Sequence, residues 1–172
     1  MTLGRARAAR PDFADVAAAE LDGVYRYLVH MLRDPVLAED VTSATFERAL
    51  RDWRRYDPAK GRPGVWLIEI ARRQALDHLR SEGRRRRREE RFAAMEPRSA
   101  PEPRVAGIPE DMRVAMTALS ESERELVALR IVLGVDTAEA ARITGTTPSA
   151  VSTSLHRALG KLRTRLQDTV DV

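Results

Sequence analysis

The chain has 172 residues and a formal net charge of +4, and it contains no cysteine. This length allows one domain of ordinary size or two small ones. The missing thiols exclude disulfides, thiolate zinc sites and cysteine nucleophiles. No stretch approaches the roughly 20 consecutive apolar residues of a membrane helix, so we expect a cytoplasmic protein that begins with a flexible tail over residues 1–12.

Basic residues are concentrated in one part of the chain. Residues 51–88 contain 13 basic and 5 acidic residues, a balance of +8, which is twice the net charge of the whole chain. The segment ends in five consecutive arginines, Arg84 to Arg88. Such a block suits a polyanion, although a solvated helix end accounts for an arginine run equally well.

The apolar residues of the first half recur at helical spacing without β-strand alternation, which predicts an all-α fold. A first helix is expected around residues 16–31 and a second over about 36–53. Asp57-Pro58 and two glycines predict a loop over 56–64. A third helix is then expected from about Val65 into the arginine run.

A proline-rich stretch separates this half from the rest of the chain. Four prolines and scattered charges between Met95 and Pro109, without a periodic apolar pattern, predict a flexible linker over 93–110. We therefore expect two small helical domains, over 13–92 and 111–172, which the linker leaves uncoupled.

The last third predicts a helix-turn-helix. Asp136 has cap spacing for a short helix, Gly145 can supply the positive φ of a tight turn, and Thr147-Pro148 can begin a longer helix with proline in its favoured first position. The apolar stripe of the longer helix is predicted to be Val151, Leu155, Leu159, Leu162 and Leu166. Helical hairpins occur in many proteins, but the caps and the glycine together favour DNA binding.

Several motifs resemble, in order, those of one known family. Residues 38–49 (AEDVTSATFERA) resemble the polymerase-binding helix of RNA polymerase sigma factors of the sigma-70 family, extracytoplasmic-function (ECF) group. Residues 56–58 (YDP), 65–72 (VWLIEIAR) and 75–80 (ALDHLR) are similar to that group's melting and minus-ten-reading segment. Residues 119–125 (LSESERE) and 151–162 look like its minus-thirty-five domain. The resemblance implies a sigma factor that directs core RNA polymerase to promoter DNA and is held by an anti-sigma factor, without a cofactor.

The resemblance also assigns residues to three surfaces. The polymerase-binding surface would comprise Asp40, Val41, Thr42, Ser43, Phe46 and Glu47. The minus-ten DNA surface would comprise Tyr56, Lys60, Arg62, Trp66, Arg72, Arg73, Arg80, Arg84, Arg85, Arg86, Arg87 and Arg88. The minus-thirty-five surface would comprise Thr147, Ser149, Ala150, Ser152, Thr153, Ser154, His156 and Arg157. Cations beside aromatic rings suit bases that have left the duplex. We expect Trp53 to be a core residue and leave Trp66 open between core and base contact.

The chain departs from the family pattern at a few positions. Ser43 stands where glutamine is usual in the polymerase-binding helix, and Arg73 replaces a frequent asparagine. Ser152 and Ser154 stand where lysine and arginine are common in the recognition helix. These two serines predict fewer charged contacts with the upstream promoter element, or a preference for a different sequence.

Two other functions compete with this interpretation. A metal-dependent nuclease would use Asp40, Asp77 and His78, but the three histidines show no ligand spacing and no glycine-rich phosphate loop is present, so we expect neither catalysis nor a metal site. A stand-alone helix-turn-helix regulator explains the last third of the chain. It leaves the first ninety residues without a role.

Overall fold

The computed structural model describes residues 10–92 and 109–170, and every regular element within them is helical, as the sequence predicts. The predicted tail and linker lie almost entirely outside the described residues. The helices are α1 (Phe13–Leu32), α2 (Pro35–Asp52), α3 (Pro63–Phe92), α4 (Glu110–Met116), α5 (Glu121–Val127), α6 (Thr137–Thr144) and α7 (Pro148–Val170). Two 3-10 turns, Trp53–Arg55 and Pro58–Lys60, lie between α2 and α3, and a π-helical turn, Ala128–Val132, extends α5.

The corner between α1 and α2 is built from local capping. Arg33 ends α1 in the left-handed region with φ of 59°. Asp34 then caps α2, because its side chain accepts a hydrogen bond from the backbone N–H of Leu37 at 3.1 Å. Pro35 takes the first helical position, where its missing N–H costs nothing. The two helices therefore pack as neighbours with only two residues between them.

Helices α1, α2 and α3 form the first helical unit around an apolar centre. Tyr27, Leu28, Met31 and Leu67 are the large side chains that are fully buried there. On α3, Ile68, Ala71 and Ala75 are buried and Leu76 and Leu79 are half-buried, and together they form the apolar stripe of this helix. Burying each large aliphatic side chain contributes roughly 1.5–3 kcal/mol relative to leaving it exposed.

Helices α4 to α7 form the second unit, whose turns follow the predicted signals. Ser120 and Glu123 form a capping box at the start of α5. Asp136 caps α6 by accepting from the N–H of Glu139 at 2.8 Å. Gly145 ends α6 with φ of +70°, and Pro148 begins α7. The geometry is that of a helix-turn-helix, as predicted.

The apolar stripe of α7 differs from the prediction at one position. Leu159 is 37 % exposed, whereas Ala158 is completely buried. The reason is helical phase: Val151, Ala158 and Leu162 recur at seven and four residues and stay on one face. Residue 159 lies about 100° further around the helix, so a leucine there faces away from the core.

The two units pack against each other, which contradicts the expectation that they are uncoupled. Leu126, Ala128, Leu129 and Val135 of the second unit belong to the same continuous core as the buried residues of α1. Helix α1 contacts both α5 and the π-helical turn. The prediction was wrong because a linker's composition sets its own stiffness and carries no information on the surfaces it joins.

Candidate polymerase and nucleic-acid interfaces

The outer face of α2 carries the exposed part of the predicted polymerase-binding surface. Asp40, Ser43 and Glu47 are exposed and Phe46 is half-buried. Val41 and Thr42 are buried at 8 % and 5 % exposure, and the hydroxyl of Thr42 donates to the carbonyl of Ala38 at 2.6 Å. These two residues pack α2 against its own unit, so they do not belong to an accessible surface. The family motif contains both the buried and the exposed residues of this helix turn, so the motif alone does not separate them.

An aromatic cluster orders the loop that precedes α3. Tyr56 stacks on Trp53 with ring centroids 4.8 Å apart and 9° between the planes, and Trp66 lies 5.6 Å from Tyr56. Tyr56 is only 4 % exposed, and its hydroxyl donates to the carbonyl of Gly61 at 2.9 Å. Burial, with a smaller effect of Asp57, raises the pKa of this phenol. Tyr56 is therefore a loop anchor in this structure and does not present its ring to a base, in contrast to the prediction.

A groove of about 390 Å³ opens beside this cluster, between the end of α2 and the middle of α3. Half-buried Trp66 forms part of its wall, so this tryptophan both packs in the cluster and faces the groove. The remaining lining is mostly charged or polar and consists of Arg48, Asp52, Arg55, Glu69, Ile70, Arg73, Gln74 and Asp77. An indole in the wall suits stacking by a base that has left the duplex, and arginines at the edge suit the phosphates beside that base.

The groove includes residues that sequence reasoning missed. Arg48, Asp52 and Arg55 are spaced i, i+4 and i+7, which places them on one side of α2 and its 3-10 extension. Arg48 and Arg55 both pair with Asp52, at 2.5 and 3.2 Å. The spacing was visible in the sequence, but which side of α2 faces α3 follows only from the packing of the unit.

The predicted minus-ten cations divide into two groups. Lys60, Arg73 and Arg80 are exposed, as are Arg84, Arg85, Arg87 and Arg88 along the last turns of α3; the side chain of Arg86 lies outside the described ones. Arg62 and Arg72 instead pair with acidic residues of the second unit. Nη2 of Arg62 lies 2.8 Å from Oε2 of Glu139, and Nε of Arg72 lies 2.5 Å from Oε1 of Glu125. In this structure, therefore, Arg62 and Arg72 are engaged within the chain.

The predicted minus-thirty-five surface is the N-terminal part of α7, and it faces solvent. All eight predicted residues are exposed except Ser154, which is half-buried. Thr147 caps the helix by accepting from the N–H of Ala150 at 3.2 Å. Val151 is fully buried and Leu155 is half-buried on the opposite side. A helix presented in this way has the form that reads the major groove.

The acidic residues of the alternative nuclease interpretation lie on different helices, Asp40 on α2 and Asp77 on α3. Asp77 pairs with Arg80 at 3.3 Å on its own helix, and Asp40 lies on the exposed face of α2. Across residues 10–92 and 109–170, no group of three or more histidine, aspartate or glutamate side chains has the arrangement of a metal site. Over the same residues, no helix is both long and apolar enough to span a membrane.

Two family models match the two helical units in order. The model for sigma-70 region 2 matches residues 16–85, and the model for sigma-70 region 4 matches residues 110–162. The first unit thus corresponds to a region 2 and the second, with its helix-turn-helix, to a region 4.

Curated relatives carry the same family name. The chain is 35 % identical to the ECF RNA polymerase sigma factor BldN of Streptomyces coelicolor over 86 % of its own length, but spans only 57 % of BldN. It is 32 % identical to ECF sigma factor SigK of Mycobacterium sp. (strain JLS), covering 86 % of the chain and 73 % of SigK. It is also 32 % identical to sigma factor CarQ of Myxococcus xanthus, covering 90 % of the chain and 89 % of CarQ. The chain belongs to the ECF group of sigma-70-family RNA polymerase sigma factors.

Two solved structures share the fold. The sigma factor RpoE of Bartonella quintana, in complex with the anti-sigma factor NepR, superimposes with a TM-score of 0.76 at 22 % identity over 91 % of this chain and 97 % of RpoE. CnrH, in complex with the cytosolic domain of CnrY, gives a TM-score of 0.65 at 20 % identity over 91 % of this chain and 88 % of CnrH.

Proposed function

We propose that this chain binds core RNA polymerase in the cytoplasm and directs it to specific promoters, and that its role is recognition and not catalysis. The observation that carries the proposal is that one chain has two differently shaped surfaces, each of which suits a different form of DNA. The exposed N-terminal part of α7 suits duplex DNA, whereas the groove beside Trp66 suits an unstacked base. A protein needs both only if it also takes part in opening the duplex.

The first unit, 13–92, would contact the polymerase and the minus-ten element, and the second, 111–172, would contact the minus-thirty-five element. Asp40, Ser43 and Glu47 form an exposed polar row on α2, which supports this helix as the polymerase contact. The stand-alone regulator remains the second candidate, because the exposed recognition helix supports it equally. It gives no reason for the groove or for the polar row on α2.

An anti-sigma factor is a further proposed partner. Two sigma-factor-like structures share this fold. RpoE was solved with the anti-sigma factor NepR, and CnrH was solved with the cytosolic domain of CnrY. The exposed apolar residues Leu21, Val36 and Leu50 on α1 and α2 would supply part of a contact surface.

Co-purification with core polymerase tests the proposal. The tagged chain is mixed with core enzyme from its own organism, separated by size, and assayed for transcript 5′ ends on genomic DNA. We expect a stoichiometric complex that starts transcription at a limited set of sites. If the chain stays apart from the polymerase and binds duplex sites by itself with nanomolar affinity at physiological salt, the stand-alone regulator is correct.

A further inference from the structure

The segment that precedes α1 is tied to the α2–α3 connection, residues 53–62. Arg10 donates two hydrogen bonds to this connection, from Nη2 to the carbonyl of Arg54 at 2.9 Å and from Nε to the carbonyl of Tyr56 at 3.3 Å. The two carbonyls lie within and just after the 3-10 turn Trp53–Arg55, where a helical turn supplies no further donors of its own. A residue of the predicted tail therefore completes a turn that lies 44 to 46 positions further along the chain.

The two bonds depend on the shape of the Arg10 side chain. A guanidinium is a planar fork whose N–H groups point in fixed directions, so one edge of it donates to two carbonyls at once. A lysine at this position would bring the same charge as a single ammonium on a flexible stem, which cannot hold both carbonyls in the same geometry. Arg10 is exposed, so the fork, and not burial of its charge, accounts for the contact.

The first residue of α1, Phe13, makes a second contact with the same connection. Its ring meets Trp53 edge-on, with ring centroids 5.2 Å apart and 67° between the planes. Trp53 in turn stacks on Tyr56, and its ring lies 5.7 Å from that of Trp66. The start of α1 is thus joined through a continuous series of rings to the indole that faces the groove.

Helix α1 also approaches the start of α3, beyond the other end of the connection. Glu20 follows Phe13 by seven residues, about two turns, so the two side chains share a face of α1. A β-carbon at Gly64 would overlap the carboxylate of Glu20, which leaves no room for a side chain there. Asp12 fixes the start of α1 by accepting a hydrogen bond from a backbone N–H two residues further on, at 2.8 Å. One face of α1 and the capped segment before it therefore contact both sides of the α2–α3 connection.

This connection leads directly into the proposed minus-ten surface. Lys60 is exposed within it, and Trp66 follows on the first turn of α3, where it forms part of the groove wall. Arg10 and Phe13 are not among the residues that line the groove. Any influence that they have on a base in the groove must therefore pass through the connection and its rings.

We propose that Arg10 is a positioning residue of the minus-ten surface. By holding the two carbonyls of the connection it fixes the ring cluster, and through the cluster it orients the indole of Trp66 for stacking on an unpaired base. This role rests on the proposed function of the groove. It extends DNA recognition to a segment outside the matched family region, because the model for region 2 begins at residue 16.

Three variants separate positioning from a direct contact between Arg10 and a phosphate. Arg10→Ala removes both the fork and its charge, whereas Arg10→Lys keeps the charge and loses the fork. Phe13→Leu leaves Arg10 in place and removes the ring that meets Trp53. Arg26→Ala is the matched control, because it removes the same charge from an exposed position on α1.

Fluorescence of the full-length chain supplies both measurements, and circular dichroism checks that each variant keeps its helix content. The chain has two tryptophans, and both lie in the ring cluster, so quenching of their emission by acrylamide reports on this cluster. The same emission follows titration with a random-sequence single strand of about 20 nucleotides, because base stacking on an aromatic ring tolerates any sequence. Strand that binds other basic surfaces without reaching the tryptophans is not counted.

The parent chain is titrated first, at several salt concentrations. A parent chain whose tryptophans do not respond to the strand would refute the proposed role of the groove, and the role of Arg10 would fall with it. Failure of positioning alone would show differently, as a parent chain that binds the strand and variants that bind it equally well.

We expect all three variants to be quenched about twofold more by acrylamide and to bind the strand about fivefold more weakly, the lower end of the loss of one base stack. Their salt slopes should equal that of the parent chain, because no phosphate contact is lost, and Arg26→Ala should match the parent chain throughout. Full binding by Arg10→Lys, with weaker binding by Arg10→Ala and a slope lower by about 0.7, would mean that Arg10 contacts a phosphate directly. That result would overturn the proposal, as would unchanged binding by both Arg10 variants or an equal loss in Arg26→Ala.

Discussion

Nζ of Lys161 donates to Oε2 of Glu123 at 2.8 Å, and the same oxygen accepts from the backbone N–H of Ser120 at 2.8 Å. One carboxylate therefore closes the capping box of α5 and ties α7 to it. Because α7 carries the proposed DNA-recognition surface, this contact fixes that surface relative to α5, the helix that packs on the first unit.

Glu123→Gln is expected to destabilise the chain by about 1 kcal/mol at pH 7, the usual size of a lost cap. The hydrogen bond from Lys161 and then that from Ser120 lower the pKa of Glu123 below its usual 4.5. A lowered folded-state pKa gives stability that is present above about pH 4.5 and is lost as the pH falls through the folded value. Urea midpoints from pH 7 to pH 3 should therefore fall less steeply in the variant. Equal slopes would mean that Glu123 is not linked to acid unfolding.

A histidine on α1, His30, is held in its neutral form, whereas Glu123 is held in its charged form. His30 is half-buried, and its Nδ1 has no hydrogen-bond partner among the described residues. Burial, and then the charge of Arg26, lower its pKa from 6.5. The unfolded chain therefore binds a proton more readily, and stability falls as the pH drops from about 6.5 toward the folded pKa.

His30→Gln should remove this dependence, so that urea midpoints of the variant stay flat between pH 7 and pH 5 while those of the parent chain fall. His156→Gln serves as the control, since His156 is exposed on α7 and the parent slope should survive its loss. If both variants keep the parent slope, another group is responsible.

The capping signals were predictable from sequence because each is local. Ser120 with Glu123, Asp136, Gly145 and Pro148 fix helix ends through bonds to residues only a few positions away. The family motifs are also contiguous in sequence, and they pointed to the exposed residues Asp40, Ser43 and Glu47 on α2 and to the proposed recognition helix α7.

What the sequence did not show depends on contacts between distant residues. Arg72 was predicted to contact DNA, but its partner Glu125 lies 53 positions further along the chain. Tyr56 is an aromatic residue of the type that stacks on bases. Only the packing of Trp53 and Trp66 around it shows that its ring faces inward. The packing of the two units against each other was not predictable for the same reason, because it depends on the shapes of two surfaces formed by residues far apart in the chain.

Asp40→Lys tests the outer face of α2. Asp40 is exposed on α2, so a reversed charge should leave helix content unchanged and weaken assembly with core polymerase about tenfold, as expected for a charge at an interface. Assembly is measured by titrating labelled chain with core enzyme. Asp22→Lys makes the same charge reversal at an exposed position on α1, and this variant should assemble normally. Normal assembly of Asp40→Lys would leave α2 with a structural role only.

The arginine run at the end of α3 is tested through salt dependence. Arg84, Arg87 and Arg88 are exposed, and replacing all three by glutamine should reduce the slope of log affinity against log salt by about three for the polymerase–promoter complex. Arg26→Gln, on α1, is a control that should leave the slope unchanged. An unaltered slope in the triple variant would assign the run to solvent.

Ser152→Arg tests which way the recognition helix faces. The hydroxyl of Ser152 donates to the carbonyl of Pro148 within α7 at 3.1 Å, so the parent side chain is turned to its own helix although it is exposed. An arginine there would reach a phosphate or a guanine edge, and one such contact is worth about 1–3 kcal/mol. Binding of the isolated chain to a labelled promoter duplex should tighten by at least about fivefold, and its salt slope should steepen by about one.

The control for this variant is Gln167→Arg, which adds the same charge at an exposed position four turns further along α7. A helix that enters the groove with its N-terminal residues brings residue 152 to the bases and holds residue 167 away from them. Only Ser152→Arg should therefore change the preferred sequence, whereas general attraction to DNA would raise both affinities equally. If Gln167→Arg gives the larger gain, α7 lies on DNA by its C-terminal part, and the assignment of the minus-thirty-five surface is wrong.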